Sequence, residues 1–365
     1  MKRRVAHFLL IPELAHSPPN DALISAWLEL GFAVDVFAPG AALDVARYGS
    51  DVRPMQADYG WRWLLANVAR PAWRAYRAFS GTTEEPLAIA GTLGRLWHRP
   101  VVTLADEIKN GSYAGDRSAR WKRLCQRGMR ASRLTIVNEA ERIAIQREYA
   151  GLSRTQDVMV YPGGFRTPPP PADRADVRAA RAIPRDAFVL CYSGTFNHGN
   201  GGLWLADALR RVPDLHVWGQ ILTADPLVHG LLTRLEGAAR LHLEGARLGW
   251  REAWSVSAAA DVGMVVYLQD APQFQHMGIA SNRLCMFLAM GVPVIASRQA
   301  SFRFIEVYGC GVLVDSADQF AAALGHVRAN LPAMREGATR AWHEHLQTEA
   351  RYAELVQRLR AVATP

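Results

Sequence analysis

The chain has 365 residues, half of them apolar and 21% charged, which excludes a disordered protein and leaves room for two domains with separate cores. Its formal net charge of +8 favours anionic partners such as nucleotide diphosphates, acidic lipid head groups or nucleic acid. No apolar run reaches the ~18–20 residues of a membrane span, and no small-residue cleavage site follows the basic N-terminus. We therefore expect a cytoplasmic protein, or one that is peripheral on the inner face of the cytoplasmic membrane without crossing it.

Four cysteines are scattered along the chain without a paired Cys-x-x-Cys motif: Cys125, Cys191, Cys285 and Cys310. Two of them, Cys191 and Cys285, lie in apolar runs. We expect buried, reduced thiols in a reducing compartment rather than a disulfide or a metal site.

Short apolar runs alternate with helical stretches over the first 161 residues. The pattern predicts strands at 5–11, 33–38, 101–104, 134–137 and 158–161, separated by helices at 20–31, 85–97, 118–130 and 139–150. Such alternation is typical of βαβ units in a parallel sheet. We assign residues 1–165 to a first Rossmann-like domain.

Residues 166–187 interrupt the pattern with four consecutive prolines and many charges, so they are predicted to be a linker. A second Rossmann-like domain is predicted for 188–344. Its strands are expected at 188–192, 215–218, 241–243, 262–267, 293–296 and 311–314. A long amphipathic helix is predicted over 333–361, and its last part, from about 345 to 365, is expected to pack back on the first domain. The expected fold class is α/β, with two facing domains and a deep cleft between them, since ligands bind at the carboxyl ends of parallel strands.

The most informative segment is 279–297, IASNRLCMFLAMGVPVIAS. The polar residues Ser281, Asn282 and Arg283 open an apolar helix that Gly291 terminates. A helix N-terminus with an added arginine is a good site for a diphosphate. The alternative is an ordinary helix–turn–strand with one exposed arginine.

This segment resembles the nucleotide-sugar site of family-4-like GT-B glycosyltransferases. Further stretches resemble that family in the same order, spanning about residues 85–315: TIV and VYPGG (135–137 and 160–164), CYSGT (191–195), LEGAR (243–247), ADVGMVVY (260–267) and GCGVLV (309–314). The resemblance implies a GT-B fold and a nucleotide-sugar donor. It also implies that the domain at 1–165 is acceptor-binding and that the domain at 188–344 is nucleotide-sugar-binding. The donor-binding residues would be Gly194, Thr195, Arg247, Ser281, Asn282, Arg283 and Met286.

Two departures from the family pattern concern the donor site and the first loop. Many family members place two glutamates eight residues apart where this chain has Gly278 and Met286, and a thioether is a poor partner for the ribose. The glycine-rich N-terminal loop is replaced by residues 12–20. The chain therefore also resembles xanthan-type glucuronosyltransferases, which are inverting, and retention or inversion of the anomeric centre stays open.

An inverting transferase needs a general base, and adjacent carboxylates after a strand are candidates. Asp106 and Glu107 follow the strand at 101–104, although one could be a helix cap and the other a solvated charge. Glu13 and His16, after the first strand, are weaker candidates on the acceptor side, and His16 could equally be structural.

No Asp-x-Asp pair occurs in the sequence, so neither a metal nor another cofactor is expected. Positive side chains and backbone N–H groups would then neutralise the leaving group. Arg283 and Arg247 are the leading side chains, and Gly194 and Thr195 could present backbone N–H groups at a turn.

Two basic, acid-free stretches, 59–79 and 117–133, contain tryptophans among arginines. Together they are predicted to form a membrane-binding face, with aromatic insertion and attraction to anionic lipid. The alternative is that the aromatics pack inward and the arginines are solvated. No nucleic-acid-binding motif is present, so nucleic acid is not an expected partner.

The expected function is a metal-independent, hexosyltransferase-like glycosyltransferase. Its partners would be a nucleotide-sugar donor, a lipid-linked or saccharide acceptor in cell-surface polysaccharide, lipopolysaccharide or glycolipid synthesis, and an anionic membrane surface. The alternatives are a GT-B-fold nucleotide-sugar epimerase and a catalytically silent partner subunit.

Overall fold

The structure, a computed structural model, describes residues 2–10, 14, 17–40, 45–82, 84–106, 119–168, 170, 172–224, 226, 230, 240–244, 248 and 250–364. For residues 195, 196, 221–224, 250 and 251 only the backbone is described. The chain divides into two compact units, Met1–Arg166 with Thr348–Pro365, and Thr167–Gln347.

The first unit is built on a parallel seven-stranded sheet with the order β3-β2-β1-β4-β5-β6-β7. Its strands are β1 (Arg4–Phe8), β2 (Ala33–Ala38), β3 (Val52–Gln56), β4 (Tyr76–Thr82), β5 (Val101–Ala105), β6 (Leu134–Val137) and β7 (Val158–Val160). The helices described in this unit are α1 (Pro18–Glu29), α2 (Trp61–Asn67), α3 (Glu85–Leu96), α4 (Ala119–Ala131), α5 (Arg142–Ala150) and, from the end of the chain, α14 (Thr348–Ala363).

Both faces of this sheet are covered, because successive side chains of a buried parallel strand enter different cores. Val5 of β1 joins a cluster with Trp27 of α1 and Leu359 of α14. Phe8 of the same strand joins a second cluster on the other face, together with Leu87 of α3. The C-terminal helix is thus part of the core of the first unit.

The helix predicted over 333–361 is interrupted. One helix ends at Ala341, a π-helical turn occupies Trp342–Leu346, and Gln347 has a left-handed backbone with φ of 49°. α14 begins at Thr348, which is also the first residue of the returning segment of the first unit. The periodic pattern was therefore correct for each helix, but it did not reveal the break.

Two strands, β3 and β4, were not predicted from the sequence. β4 lies within the basic aromatic stretch 59–79, and Phe79 is fully buried in the sheet. Trp73 is 5% exposed, and its Nε1 donates a hydrogen bond to the carbonyl oxygen of Asn67 at 2.6 Å. Trp73 is therefore packed inward, as in the alternative interpretation of this stretch, and its ring is not available to insert into a membrane.

The second unit is built on a parallel six-stranded sheet with the order β10-β9-β8-β11-β12-β13. Its strands are β8 (Phe188–Phe196), β9 (Leu215–Ala224), β10 (Leu241–Glu244), β11 (Val262–Val265), β12 (Val294–Ser297) and β13 (Gly311–Val314). The described helices are α6 (Arg174–Ala179), α7 (Gly202–Arg211), α8 (Trp250–Ala258), α9 (Pro272–Gln275), α10 (Asn282–Ala289), α11 (Phe304–Val307), α12 (Ala317–Ala329) and α13 (Leu331–Ala341).

The segment predicted as a linker, 166–187, contains α6, and from Thr167 onward it belongs to the second unit. Arg178 of α6 is 2% exposed and its Nη2 lies 2.8 Å from Oδ2 of Asp261, at the start of β11. A buried ion pair of this kind fixes its helix, because removing either partner would leave an uncompensated charge. The run of prolines at 168–171 predicted a linker. The helix α6 and its buried ion pair follow these prolines and could not be predicted from them.

All four cysteines lie among the described residues and are buried, as expected. Among the helices of the described residues, none combines the length and the apolar character that crossing a bilayer requires.

Candidate functional site

The N-terminus of α10 is the centre of the candidate site in the second unit. Ser281 is fully buried and is the N-cap of this helix, where its Oγ accepts a hydrogen bond from the backbone N–H of Leu284 at 3.2 Å. The hydroxyl of Tyr267 lies 2.8 Å from the same Oγ. Ser281 therefore fixes the first turn of the helix, whose dipole places partial positive charge at this end.

Arg283 lies in that first turn, between two aromatic rings. Its guanidinium carbon is 4.8 Å from the ring centroid of Tyr267 and 5.4 Å from that of Tyr192. Nη2 donates a long hydrogen bond of 3.4 Å to Oδ1 of Asn200. Within the described part of the chain, Nη1 is buried without a hydrogen-bond partner, and no carboxylate pairs with this arginine.

The charge of Arg283 is not neutralised by its aromatic neighbours. Burial raises the pKa of Tyr192 to about 12, although the nearby arginine lowers it, so the phenol stays protonated. Burial lowers the pKa of Arg283, but Tyr267 and Tyr192 raise it and the net shift is upward. Arg283 therefore keeps its positive charge. Its Nη1 is buried without a partner among the described residues, and such a group favours an anionic ligand.

The end of β8 passes directly beside Arg283. Gly194 has φ of 120°, a backbone conformation that favours glycine, and a Cβ at this position would lie 3.9 Å from Cδ of Arg283. The chain then enters a turn at His198–Asn200, where the side chain of Asn197 accepts a hydrogen bond from the N–H of Asn200 at 2.9 Å. This turn presents Asn200 to Arg283.

Of the remaining predicted donor-binding residues, Asn282 and Met286 have side chains that the structure describes. Asn282 is exposed at the start of α10. Met286 is 8% exposed, and its sulfur accepts a hydrogen bond from the hydroxyl of Ser257 in α8 at 3.5 Å. The side chain of Thr195 and the whole of Arg247 lie outside the described residues.

In the first unit, Asp106 directly follows β5 and is half-buried. Its backbone carbonyl oxygen accepts hydrogen bonds from Nδ2 of Asn138 at 3.0 Å and from Nη1 of Arg142 at 2.9 Å. Arg142 is 2% exposed, so the backbone at Asp106 is held firmly. The other candidates of this unit, Glu13, His16 and Glu107, lie outside the described residues.

A second acidic pair lies at the same edge of the first sheet and was not singled out from the sequence. Glu84 and Glu85 follow β4, whose last residue Thr82 is in register with Leu104 of β5. Glu84 has φ of 82°, a conformation rare for a residue with a Cβ, and its N–H donates to Sγ of Cys125 at 3.4 Å. The pair was missed because β4 was not predicted, so the two glutamates were not recognised as adjacent carboxylates that follow a strand.

The two basic stretches of the first unit meet through their aromatic residues. The rings of Trp61 in α2 and Trp121 in α4 are stacked, with centroids 4.5 Å apart. Trp121 is 8% exposed. The five basic side chains of α4 are all exposed: Arg120, Lys122, Arg123, Arg127 and Arg130. The stretches thus form one surface, but Trp121 faces inward and the basic residues face solvent.

Three residues of the second-unit site were missed in the sequence: Tyr192, Asn200 and Tyr267. The two tyrosines were visible within CYSGT and ADVGMVVY, where each closes an apolar strand at its carboxyl end. An aromatic residue at that position, beside a helix that begins with an arginine, is the signal that could have identified them.

No family model matches the chain, and no curated protein matches it. Solved structures do match over almost the whole length. HepE of Anabaena, crystallised with UDP and glucose, is 14% identical with a TM-score of 0.78, covering 98% of this chain and 100% of that chain. The sucrose-phosphate synthase of Thermosynechococcus elongatus is 18% identical with a TM-score of 0.73, covering 99% of each chain. WaaG, a glycosyltransferase involved in lipopolysaccharide biosynthesis, is 15% identical with a TM-score of 0.67, covering 99% of each chain.

At identities this low the likeness establishes the architecture. The chain has the GT-B fold. The expected α/β class, with a parallel sheet and alternating helices in each half, is confirmed.

Proposed function

We propose that the chain is a glycosyltransferase that takes a sugar from a nucleotide-sugar donor bound at the second-unit site. The observation that carries the proposal is the partly buried Arg283, whose Nη1 has no partner among the described residues. Leaving a buried N–H of a charged group unpaired costs free energy, and a diphosphate would supply the missing acceptor oxygens. The complex of HepE with UDP and glucose supports the same ligand class, since that protein shares this fold.

The chemistry follows from the charge that develops during transfer. As the sugar–phosphate bond breaks, negative charge accumulates on the leaving diphosphate. Arg283 and the N-terminus of α10 are fixed by Ser281, Tyr267 and Tyr192, so they can stabilise that charge without rearranging. Glycine at position 194 lets the ligand approach the backbone beside the guanidinium.

We further propose that transfer needs no metal ion. Arg283 supplies a fixed positive charge at the site, and the sequence contains no Asp-x-Asp pair. A chelator should therefore leave turnover unchanged. Loss of turnover in EDTA, with recovery on adding Mg²⁺ or Mn²⁺, would contradict this part of the proposal.

The proposed acceptor is a lipid-linked or saccharide intermediate of surface-polysaccharide, lipopolysaccharide or glycolipid synthesis. The exposed basic side chains of α4 support this choice, because clustered Arg and Lys are attracted to anionic lipid. WaaG, which shares the fold, is involved in lipopolysaccharide biosynthesis. The proposal rests on electrostatic attraction, since Trp73 and Trp121 are packed inward and Trp61 and Trp63 are only partly exposed.

The test is incubation with UDP-, GDP- and dTDP-sugars, following nucleotide release with and without lipid-linked and saccharide acceptors. A glycosyltransferase releases nucleotide faster when the right acceptor is added. Nucleotide release with an altered free sugar and no acceptor would instead indicate an epimerase. Absence of any binding or release across the panel would contradict the proposal and favour a silent subunit.

A further inference from the structure

Gln269, just beyond β11, carries a buried acceptor atom with no partner. Its Oε1 is inaccessible to solvent and, in the described part of the chain, accepts no hydrogen bond. The side chain lies directly on the glycine of the turn at 197–201, since a Cβ at Gly199 would be 2.6 Å from its Cδ. The backbone is fixed as well, because the N–H of Leu268 donates to the carbonyl oxygen of Gly199 at 2.6 Å.

Gln269 and Arg283 are connected through this one turn. Gly199 contacts Gln269, and the next residue, Asn200, accepts the hydrogen bond from Nη2 of Arg283. The two orphaned groups, Oε1 of Gln269 and Nη1 of Arg283, therefore belong to the same corner of the second unit. A buried polar atom without a partner calls for an explanation, and two beside one turn favour a ligand that satisfies both.

The two unpaired atoms need different hydrogen-bond partners: one needs an acceptor and the other needs a donor. Nη1 of Arg283 is a donor and is satisfied by a phosphate oxygen. Oε1 of Gln269 is an acceptor, and an ionised diphosphate has no hydrogen to donate to it. The group that satisfies Gln269 must therefore carry an O–H or N–H. In a nucleotide-sugar the ribose and the transferred sugar both supply hydroxyls, one on each side of the diphosphate, and comparing a nucleotide with its sugar conjugate separates the two.

We infer that Gln269 is a sugar-binding residue, whose Oε1 accepts a hydrogen bond from a hydroxyl of the transferred sugar. The inference rests on the proposed function and deepens it, since it assigns the sugar's recognition to a residue outside the helix that holds the diphosphate. Gln269 selects for a hydroxyl-bearing sugar because a sugar lacking that hydroxyl leaves Oε1 unpaired.

The test compares each nucleotide with its sugar conjugate: UDP with UDP-glucose, GDP with GDP-mannose, and dTDP with dTDP-glucose, each titrated by calorimetry. The readout is the ratio of the two dissociation constants for the pair that binds. In Gln269→Leu the affinity of the sugar conjugate relative to the bare nucleotide should fall about 10-fold, while the affinity of the bare nucleotide stays the same. Gln269→Glu keeps an acceptor oxygen of the same reach, so it should preserve that ratio even if its charge weakens both ligands.

Gln275→Leu is the matched control. Gln275 is exposed in the neighbouring helix α9, and its Nε2 already donates to Oδ1 of Asp270 at 2.5 Å, so the ratio should not change. The inference is overturned if Gln269→Leu leaves the ratio at its wild-type value, or weakens nucleotide and conjugate equally. If no nucleotide of the three pairs binds the wild type, the proposed function itself fails and this inference falls with it.

A second titration identifies the contact itself. Among the 2-, 3-, 4- and 6-deoxy forms of the sugar that binds, one should bind the wild type about 10-fold more weakly than the parent. The same deoxy form should bind Gln269→Leu as well as the parent does, because the acceptor is already missing. An equal penalty in wild type and variant for every deoxy form would contradict a hydroxyl contact at Gln269.

Discussion

The ring of Phe287 in α10 lies directly against Gly263 of β11. A Cβ at Gly263 would be 2.3 Å from Cδ2 of Phe287, and the ring is fully buried with no room to withdraw. Glycine is therefore the residue that lets α10 pack this closely on the sheet. Arg283 is one turn earlier on the same helix, so the position of the candidate anion site depends on this contact.

Gly263→Ala should destabilise the second unit and weaken the donor site at the same time. Overpacking a filled core costs about 1–3 kcal/mol, and the displaced α10 would carry Arg283 with it. Denaturant unfolding and titration with UDP measure the two effects. Gly325→Ala is the matched control: Gly325 lies inside α12 with no atom near its absent Cβ, so alanine there should stabilise by about 0.5–1 kcal/mol. A Gly263→Ala protein of wild-type stability would show that α10 does not need this close approach.

Asp106 is predicted to be the general base if the enzyme inverts the anomeric centre. Asp106→Asn would remove the base while keeping the shape of the side chain, so kcat should fall ~10²–10⁴-fold with UDP binding unchanged. Asp51→Asn, at an exposed ion pair with Lys2, is the control and should keep full activity. Near-normal kcat in Asp106→Asn would exclude this role; Glu107 would be tested next, and a retaining mechanism would gain weight.

Acid should destabilise the first unit through His7. This histidine of β1 is fully buried, with Nδ1 2.8 Å from Oγ of Ser80 and Nε2 2.9 Å from Oδ1 of Asn20. Burial lowers its pKa to about 4, although the hydrogen bond to Asn20 raises it. The unfolded chain, with an ordinary pKa of 6.5, binds the proton first, so stability is lost as pH falls from about 6.5 towards 4.

The size of this effect is measurable. Between pH 7.5 and pH 5 the His7 contribution to the free energy of unfolding should fall by about 2 kcal/mol. Denaturant titrations at both pH values, on the wild type and on His7→Gln, isolate it, because the other titrating groups are common to both proteins. Equal pH dependence in the two proteins would mean that His7 takes up its proton equally in the folded and unfolded states, which would contradict the prediction.

Binding to anionic membranes should depend on the exposed basic side chains of α4 and weaken with salt. Lys122→Glu with Arg123→Glu should abolish co-sedimentation with anionic vesicles at low salt, whereas the charge-matched pair Arg210→Glu with Arg303→Glu, in the second unit, should retain it. Raising salt from 0.1 M to 1 M should release the wild type, since the Debye length falls from about 10 Å to about 3 Å. A wild-type protein that stays in the supernatant with anionic vesicles would point to a soluble acceptor.

Much of the fold could be predicted from the sequence, because buried parallel strands are short apolar runs and the helices between them carry periodic patterns. β4 was the main failure. Its sequence, YRAFSGT, is preceded by tryptophans and arginines, and composition alone could not distinguish aromatics packed in a core from aromatics at a membrane. The burial of Trp73 is a property of the folded structure, and the Trp61–Trp121 stack joins residues far apart in the chain.

The candidate site was predictable only in part. Ser281 and Arg283 were identified because a capping residue and an arginine at a helix start are local signals. Gln269 was not, since its importance depends on an unpaired oxygen, and hydrogen-bond satisfaction is a property of the folded structure. The same holds for the left-handed backbone of Glu84.

Calorimetric titration tests most directly whether Arg283 holds the diphosphate of the donor. UDP and UDP-glucose, and then the GDP and dTDP pairs, are titrated into the wild type and into Arg283→Met. Methionine keeps an unbranched apolar stem between Tyr192 and Tyr267 but removes the charge. A charge-assisted contact is worth ~1.5–3 kcal/mol, so the dissociation constant of the nucleotide that binds should rise about 10- to 150-fold. Arg210→Ala, whose arginine is 64% exposed on α7, should bind like the wild type. If Arg283→Met instead binds nucleotide with wild-type affinity, Arg283 does not hold the diphosphate and the account of the donor site is wrong.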